Sequence, residues 1–176
     1  MQQARHAADR LEAEEPGKGD PSKFAGLRPV FDKNGTVTAA NASTINDGAA
    51  AVVLVSEEKG KALGLKPLAK IVASASHAQE PEWFTTAPVG AMQKALSKAG
   101  WTVADVDLFE INEAFAAVTM AAMHDLKLDP AKVNVNGGAC ALGHPVGATG
   151  ARIIATLISA LRARGLRRGV ASLCIG

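Results

Sequence analysis

The sequence predicts an α/β fold in which helices pack in layers on a β-sheet. Its 176 residues are 48% hydrophobic, which suits one domain with a sizeable buried core. Short apolar segments rich in β-branched residues alternate with stretches of helical periodicity that run for about 10 to 15 residues, and this order is typical of α/β domains. The many small residues favour close packing of the helices on the sheet.

The first part of the chain carries little apolar sequence. Residues 1–23 are polar, charged and rich in glycine and proline, so they predict a tail or linker in which residues 5–15 could form a short helix. After it, the turn signal Lys33-Asn34-Gly35 and the alternation that follows predict a short hairpin-like segment over Phe31–Thr38.

Two strands and two helices are predicted in the middle of the chain. The apolar run Ala49–Val55 does not alternate with polar residues, which indicates a strand buried on both faces. Ser56 then caps a short helix over residues 57–63. Pro67–Ala75 is predicted as the second strand, and Ala87–Ala99 as a helix that ends at a glycine.

The last part of the chain continues the alternation. Val106–Ile111 and Gly169–Ile175 are predicted as the third and fourth strands, and residues 133–136 as a short extended piece. Glu113–Leu126 is apolar nearly all round and predicts a buried helix, whereas Thr149–Arg164 predicts a long amphipathic one. Because the fourth strand runs to the final residues, we expect an additional edge strand to be missing.

Charge and cysteine content exclude several classes of protein. The net charge is +2 and the basic residues are dispersed, so we expect no nucleic-acid partner. The two cysteines lie 34 positions apart and form no disulfide framework, which favours a reducing, cytoplasmic location. No apolar run approaches the length of a membrane span, so we expect a soluble protein without a membrane partner.

Three polar clusters follow predicted strands or occupy glycine-rich turns. They cover residues 112–116, 137–145 and 174–176. Asn112 and Cys174 lie at the carboxyl ends of strands, where ligands bind in open α/β sheets, and His144 lies in a glycine-rich turn as a candidate acid or base. Each also has a plainer interpretation: a helix N-cap for Asn112, an inert apolar residue for Cys174 and a surface histidine for His144.

Cys140 lies four residues before His144, so a cysteine–histidine nucleophile pair is conceivable. A packed residue in a glycine-rich turn is the favoured interpretation. A metal site is not indicated, because the cysteines lack Cys-x-x-Cys spacing and the histidines are scattered.

At these clusters the chain strongly resembles the thiolases, the acetyl-CoA C-acyltransferases. The resemblance covers residues 27–176 and rests on ordered motifs at residues 41–50, 112–116, 137–145, 147–152 and 174–176. It implies a thiolase-like C-terminal half, a layered α/β fold with a mixed sheet that lacks its last strand. Residues 27–176 would form this domain, and residues 1–26 would be a tail or the remnant of the family's loop region.

The resemblance also implies a reaction and a role for each site residue. Thiolases catalyse a Claisen condensation of acyl-CoA with acetyl-CoA, and its reverse, without a cofactor other than the coenzyme A thioesters that are the substrates. Cys174 matches the cysteine that acts as acid and base, and His144 the histidine that activates the nucleophilic cysteine. Asn112 matches the asparagine that holds a water in the oxyanion site, Gly176 a backbone donor of a second oxyanion hole, and Ser43 a contact of the pantetheine arm.

The resemblance leaves one component unaccounted for, since the nucleophilic cysteine belongs to the family's N-terminal half. We therefore expect the chain to be inactive alone, to have that missing half as a partner, and to form a homo-oligomer when complete. The alternative is a non-catalytic module that binds coenzyme A or a thiolase subunit. Ketoacyl synthases match less well, because no second histidine stands at Asn112 or Cys174, and a hydrolase that uses Cys140 is the least favoured hypothesis.

Overall fold

A computed structural model describes residues 15–175 of the chain. Within these residues the α-helices and strands are, in chain order, α1 (Glu15–Lys18), α2 (Glu57–Ala62), α3 (Ala87–Ala99), β1 (Leu108–Ile111), α4 (Ala116–Leu126), α5 (Ala139–Leu142), α6 (Thr149–Ala163) and β2 (Gly169–Ser172). Short 3₁₀ turns cover Pro21–Gly26, Pro81–Thr86, Val103–Asp105 and Pro130–Lys132. None of the described helices is both long enough and apolar enough to span a bilayer.

The fold has three layers, with a two-stranded parallel sheet in the middle. β1 pairs with β2 in parallel, so that Leu108 lies opposite Gly169 and Ile111 opposite Ser172. Side chains alternate between the two faces of a strand. Accordingly Phe109 and Ile111 pack with α3 and α4 on one side, whereas Leu108 packs with α6 on the other. The prediction of a layered α/β fold is therefore confirmed.

Local signals explain where the long helices begin and end. Pro88 occupies the first turn of α3, where a missing N–H costs nothing, and Gly100 ends the helix with a left-handed φ of 67°. α6 carries a stripe of buried apolar side chains that includes Ile153 and Leu157 and faces the sheet. The hydroxyl of Ser56 caps α2 by accepting the N–H of Lys59.

The predicted strands over Ala49–Val55 and Pro67–Ala75 are wrong. Within residues 15–175 the sheet has two parallel strands, whereas a mixed sheet with four strands was predicted. Neither segment forms a ladder, and the side chain of Val53 is 94% exposed. Residues 68–75 line a groove of about 1190 Å³ together with β2, α3 and α6, so they run beside the sheet without pairing with it. An apolar run becomes a strand only where a partner satisfies its backbone groups.

Other predicted bounds shift by a few residues. The helix predicted over residues 113–126 begins only at Ala116, because the N–H of Ala116 bonds to the carbonyl of Asn41 and the chain before it is extended. The hairpin-like segment is present as a turn at Asp32–Gly35 with a backbone hydrogen bond from Val30 to Val37. The short helix predicted over residues 5–15 lies outside the described residues apart from Glu15.

Candidate functional site

The candidate site lies at the carboxyl edge of the sheet. Asn112 directly follows β1, and its N–H donates to the carbonyl of Ser172 at 2.9 Å. Cys174 comes two residues after Ser172, where β2 ends. The parallel register therefore brings the segments that carry Asn112 and Cys174 to the same edge.

The imidazole of His144 reaches this edge from the glycine-rich turn. Its Nε2 lies 3.2 Å from Nδ2 of Asn112, and its Nδ1 lies 2.7 Å from the hydroxyl of Thr149. Asn112 is buried, and its Oδ1 finds no hydrogen-bond partner among the described residues. That oxygen is thus able to accept a hydrogen bond from a ligand or a water molecule.

The backbone of His144 is fixed by the segment 44–46. Its N–H donates to the carbonyl of Thr44 at 2.9 Å, and Ile45 forms a parallel bridge with His144. The preceding Gly143 has a φ of 95°, which a residue with a Cβ rarely adopts. A Cβ there would lie 2.3 Å from Oδ1 of Asn46, so a larger residue would have to displace the side chain of Asn46.

The imidazole of His144 is held in its neutral form. Burial lowers its pKa below the usual value, and the positive charge of Arg152 lowers it further. Arg152 lies 3.4 Å from the carboxylate of Glu110, a buried residue of β1 whose own pKa is raised by burial. A neutral imidazole has one bare nitrogen, which can accept a proton.

The thiol of Cys174 is half-buried against the apolar core that α3, α4 and β1 share. Burial raises its pKa, so the sulfur keeps its proton at neutral pH. Within residues 15–175 no side-chain hydrogen bond joins Cys174 to His144 or Asn112. The structure therefore brings Cys174 to the right edge but shows direct contact only for the pair Asn112–His144.

Cys140 faces Glu113. Its Sγ lies 3.8 Å from the carbonyl oxygen of Glu113, and its N–H donates to the carboxylate of the same residue at 3.1 Å. Burial and the nearby carboxylate raise the pKa of the Cys140 thiol to about 11. A thiolate is the nucleophilic form of cysteine, so this environment argues against a nucleophile pair of Cys140 with His144.

Ser43, another site residue predicted from the sequence, contacts the chain near Asn112. The hydroxyl of Ser43 donates to the carbonyl of Ala114 at 3.0 Å, which ties the segment around Ser43 to the chain just after Asn112. Gly176 lies outside the described residues. The sequence-based roles of Ser43 and Gly176 stay predictions.

Three polar side chains support the site, although the sequence predicted no role in it for them. Asn134 has a left-handed φ of 47°, and its amide bonds to both backbone groups of Ile111 at 2.8 Å, next to Asn112. Glu113 accepts from Asn134 and from the N–H of Cys140. Thr149 contacts the ring of His144. Glu113 lies in the polar cluster of residues 112–116, and Thr149 begins a predicted helix five residues after His144, whereas Asn134 has no comparable local signal.

Comparison with protein families decides the relationship. The model of the thiolase C-terminal domain matches residues 65–176, and the model of the thiolase N-terminal domain matches residues 9–58. The chain belongs to the thiolase family. The predicted domain boundary between residues 26 and 27 is not tested by this match and stays a prediction.

Individual thiolases agree with this assignment. The chain is 55% identical over 153 residues to the acetyl-CoA acetyltransferase of Rhizobium meliloti (strain 1021), which covers 87% of this chain and 39% of that protein. It is 53% identical over 165 residues to the acetyl-CoA acetyltransferase of Schizosaccharomyces pombe (strain 972 / ATCC 24843), covering 94% and 42%. The chain thus spans less than half the length of these curated relatives.

Solved structures share the fold. The crystal structure of the Bacillus anthracis acetyl-CoA acetyltransferase matches with a TM-score of 0.85 and 53% identity, over 88% of this chain and 39% of that one. Human mitochondrial 3-ketoacyl-CoA thiolase in complex with CoA matches with a TM-score of 0.83 and 45% identity, over 90% and 40%. The thiolase fold expected from the sequence motifs is therefore confirmed.

Proposed function

We propose that this chain supplies the acid/base and oxyanion half of a thiolase site, which interconverts acetyl-CoA plus acyl-CoA with 3-oxoacyl-CoA plus CoA. The observation that carries the proposal is the contact of 3.2 Å between Asn112 Nδ2 and His144 Nε2, at the edge of the sheet where Cys174 also lies. The similar proteins are acetyl-CoA acetyltransferases, and coenzyme A is bound in one related structure.

His144 acts first as a base. A neutral imidazole with a bare Nε2 takes the proton of a cysteine thiol, and the resulting thiolate attacks the carbonyl carbon of an acyl-CoA. The thioester bond to coenzyme A breaks, and the acyl group stays on that cysteine. The nucleophilic cysteine is provided by the N-terminal half of the thiolase, since the thiol of Cys140 faces Glu113 instead.

Cys174 carries protons to and from carbon and sulfur. Its pKa is raised by burial, so the resting group is a thiol that can protonate the departing coenzyme A sulfur. The thiolate left behind then removes the α-proton of acetyl-CoA. The carbanion attacks the acyl group on the nucleophilic cysteine, a carbon–carbon bond forms, and that cysteine leaves as the thiolate.

The developing enolate oxygen needs hydrogen-bond donors that are already in place. Asn112 meets this need through a water that its buried Oδ1 can hold, and the imidazolium of His144 donates from Nε2. Gly176 supplies a backbone donor, and Ser43 a contact of the pantetheine arm. The proposal includes coenzyme A thioesters as the substrates, no further cofactor, a homo-oligomer as the complete assembly, and no turnover by this chain alone.

A chimaera tests the proposal. The chain would replace the matched region of the acetyl-CoA acetyltransferase of Shinella zoogloeoides, which is 55% identical to it over 153 residues, and thiolysis of acetoacetyl-CoA would be measured. We expect turnover by the chimaera and none by the isolated chain. A folded chimaera that binds coenzyme A but has no activity would contradict the proposal, as would turnover by the chain alone.

A non-catalytic interaction module is the second candidate, and the exposed apolar residues between Ile45 and Val72 favour it. Such a module would bind a thiolase subunit without contributing residues to its site. In the chimaera, the changes Asn112→Ala and Cys174→Ala distinguish the two functions. Asn112→Ala strongly lowers turnover and Cys174→Ala abolishes it only if this chain contributes to catalysis.

A further inference from the structure

Thr149 makes a contact that the proposed mechanism does not yet use. It is the first residue of α6, and it is fully buried beside the ring of His144. Its hydroxyl oxygen lies 2.7 Å from Nδ1 of His144 and 3.0 Å from the carbonyl oxygen of Pro145. A hydroxyl has one proton, so these two contacts constrain each other.

The carbonyl of Pro145 decides where that proton lies. A carbonyl oxygen only accepts, so a contact of 3.0 Å between it and the hydroxyl oxygen is favourable only if the hydroxyl donates. The N–H of Ala148 donates to the same carbonyl at 2.7 Å, which uses the other lone pair. The hydroxyl of Thr149 therefore accepts from the ring, and Nδ1 of His144 must carry the hydrogen.

The other side of the ring is consistent with this assignment. With the hydrogen on Nδ1, the bare Nε2 accepts the hydrogen bond from Nδ2 of Asn112 at 3.2 Å. If Nε2 carried the hydrogen, Asn112 would have to turn its oxygen toward the ring to accept it. The hydroxyl of Thr149 would then have to donate to Nδ1 instead of to the carbonyl of Pro145. The arrangement with the hydrogen on Nδ1 keeps both the hydrogen bond from Thr149 to Pro145 and the contact of Asn112 Nδ2 with the ring.

The geometry points to Thr149 as a positioning residue that fixes the tautomer of His144, with Nδ1 protonated and Nε2 presented as the base. The catalytic value of this tautomer rests on the proposed function, because only a bare Nε2 can take the proton of a nucleophilic thiol. The tautomer itself does not rest on it. When Nε2 gains a proton, the Nδ1–H bond to Thr149 persists and keeps the ring aimed at the site.

The tautomer can be measured on the full 176-residue chain by ¹H–¹⁵N NMR of the imidazole nitrogens at a pH where His144 is neutral. The chain has four histidines, and the signals of His144 are those lost in His144→Gln. We expect the pattern of an Nδ1–H ring with a bare Nε2. An Nε2–H pattern in the wild type would overturn the inference, whatever the activity.

Two variants at position 149 test the role of the hydroxyl. Thr149→Val keeps the shape without the hydroxyl, and we expect its His144 signals to move toward a mixture of tautomers or to the Nε2–H form. Thr149→Ser keeps the hydroxyl and should restore the Nδ1–H pattern. An unchanged Nδ1–H pattern in Thr149→Val would overturn the role of Thr149. If that variant does not fold, an Nε2–H or mixed pattern in Thr149→Ser would overturn it.

The chimaera separates this inference from the proposed function. With an active wild-type chimaera, we expect Thr149→Val to lower kcat by about three- to tenfold with little change in KM, since one net hydrogen bond is lost, and Thr149→Ser to recover most of it. An inactive wild-type chimaera whose His144 ring carries its hydrogen on Nδ1 would contradict the proposed function but still support the assignment of the tautomer.

Discussion

At the scale of single residues, Asn112 and His144 depend on each other. Asn112 is 1% exposed, and its amide both contacts His144 and offers a buried oxygen to a ligand. A buried amide whose oxygen has no hydrogen-bond partner lowers the stability of the fold. Such groups are common in sites that bind a ligand.

We therefore expect Asn112→Ala in the active chimaera to lower kcat by about 10²–10³-fold, because a preorganised oxyanion group is lost. The melting temperature should change much less than the rate. Steady-state thiolysis of acetoacetyl-CoA and thermal unfolding check these two expectations. Asn34→Ala, at an exposed turn distant in sequence from Asn112, is the matched control. A similar loss of rate in this variant would contradict the role of Asn112.

The two cysteines should differ in reactivity toward iodoacetamide. The thiolate reacts, and raising the pKa of Cys140 from 9.0 to about 11 lowers its thiolate fraction at pH 8 by about 100-fold. Burial raises the pKa of Cys174 as well, but the carboxylate of Glu113 adds to the shift at Cys140. We expect Cys174 to be labelled before Cys140 in the isolated chain, as read by peptide mass spectrometry, and labelling of Cys140 to accelerate as the pH approaches 11. Faster labelling of Cys140 at pH 8 would instead favour a nucleophilic Cys140.

At the scale of secondary-structure elements, local signals predicted the helices better than the strands. α3 and α6 carry their own periodicity, and α3 also carries its terminating glycine, so both could be located from sequence alone. The segments 49–55 and 67–75 have the composition of strands, yet a strand is completed by its neighbour and not by its composition. The sequence could not show that residues 68–75 would lie across a groove from β2.

The candidate site shows the same division between local and non-local information. Asn112 and Cys174 could be placed because parallel strands end at one edge of a sheet. The roles of Glu113 and Asn134 could not, because each depends on hydrogen bonds to residues more than 20 positions away. Such contacts exist only after the layers have packed.

The glycine-rich loop before α5 depends on one of these contacts. A Cβ at Gly138 would lie 2.2 Å from the carboxyl carbon of Glu113, so Gly138→Ala must displace the group that holds Asn134 and Cys140. We expect a loss of about 1–3 kcal/mol in the free energy of unfolding, measured by urea denaturation. Gly147→Ala is the control, since a Cβ there meets nothing within 4 Å, and equal losses in both variants would contradict the role of Glu113.

At the scale of the whole molecule, the described part of the chain leaves much apolar surface uncovered. The side chains of Ile45, Val53 and Leu54 are 88%, 94% and 73% exposed, and Leu68 and Ile71 in a later segment are also largely exposed. Large apolar side chains exposed in such number are typical of surfaces that bind another protein. The proposed oligomer and the proposed N-terminal half of the site both require such a face.

Self-association of the isolated chain follows from this surface and can be reduced by charge. We expect the wild-type chain to sediment as a concentration-dependent mixture, and Val53→Glu to shift it toward the monomer, because a carboxylate in an apolar contact must be desolvated. The melting temperature should stay unchanged, since the side chain of Val53 packs against almost nothing within the chain. Lys33→Glu has a larger change of charge at an exposed polar position of a turn, and it should sediment like the wild type. A destabilised Val53→Glu, or a wild type that stays monomeric at every concentration, would show that residues 49–55 pack within the chain after all.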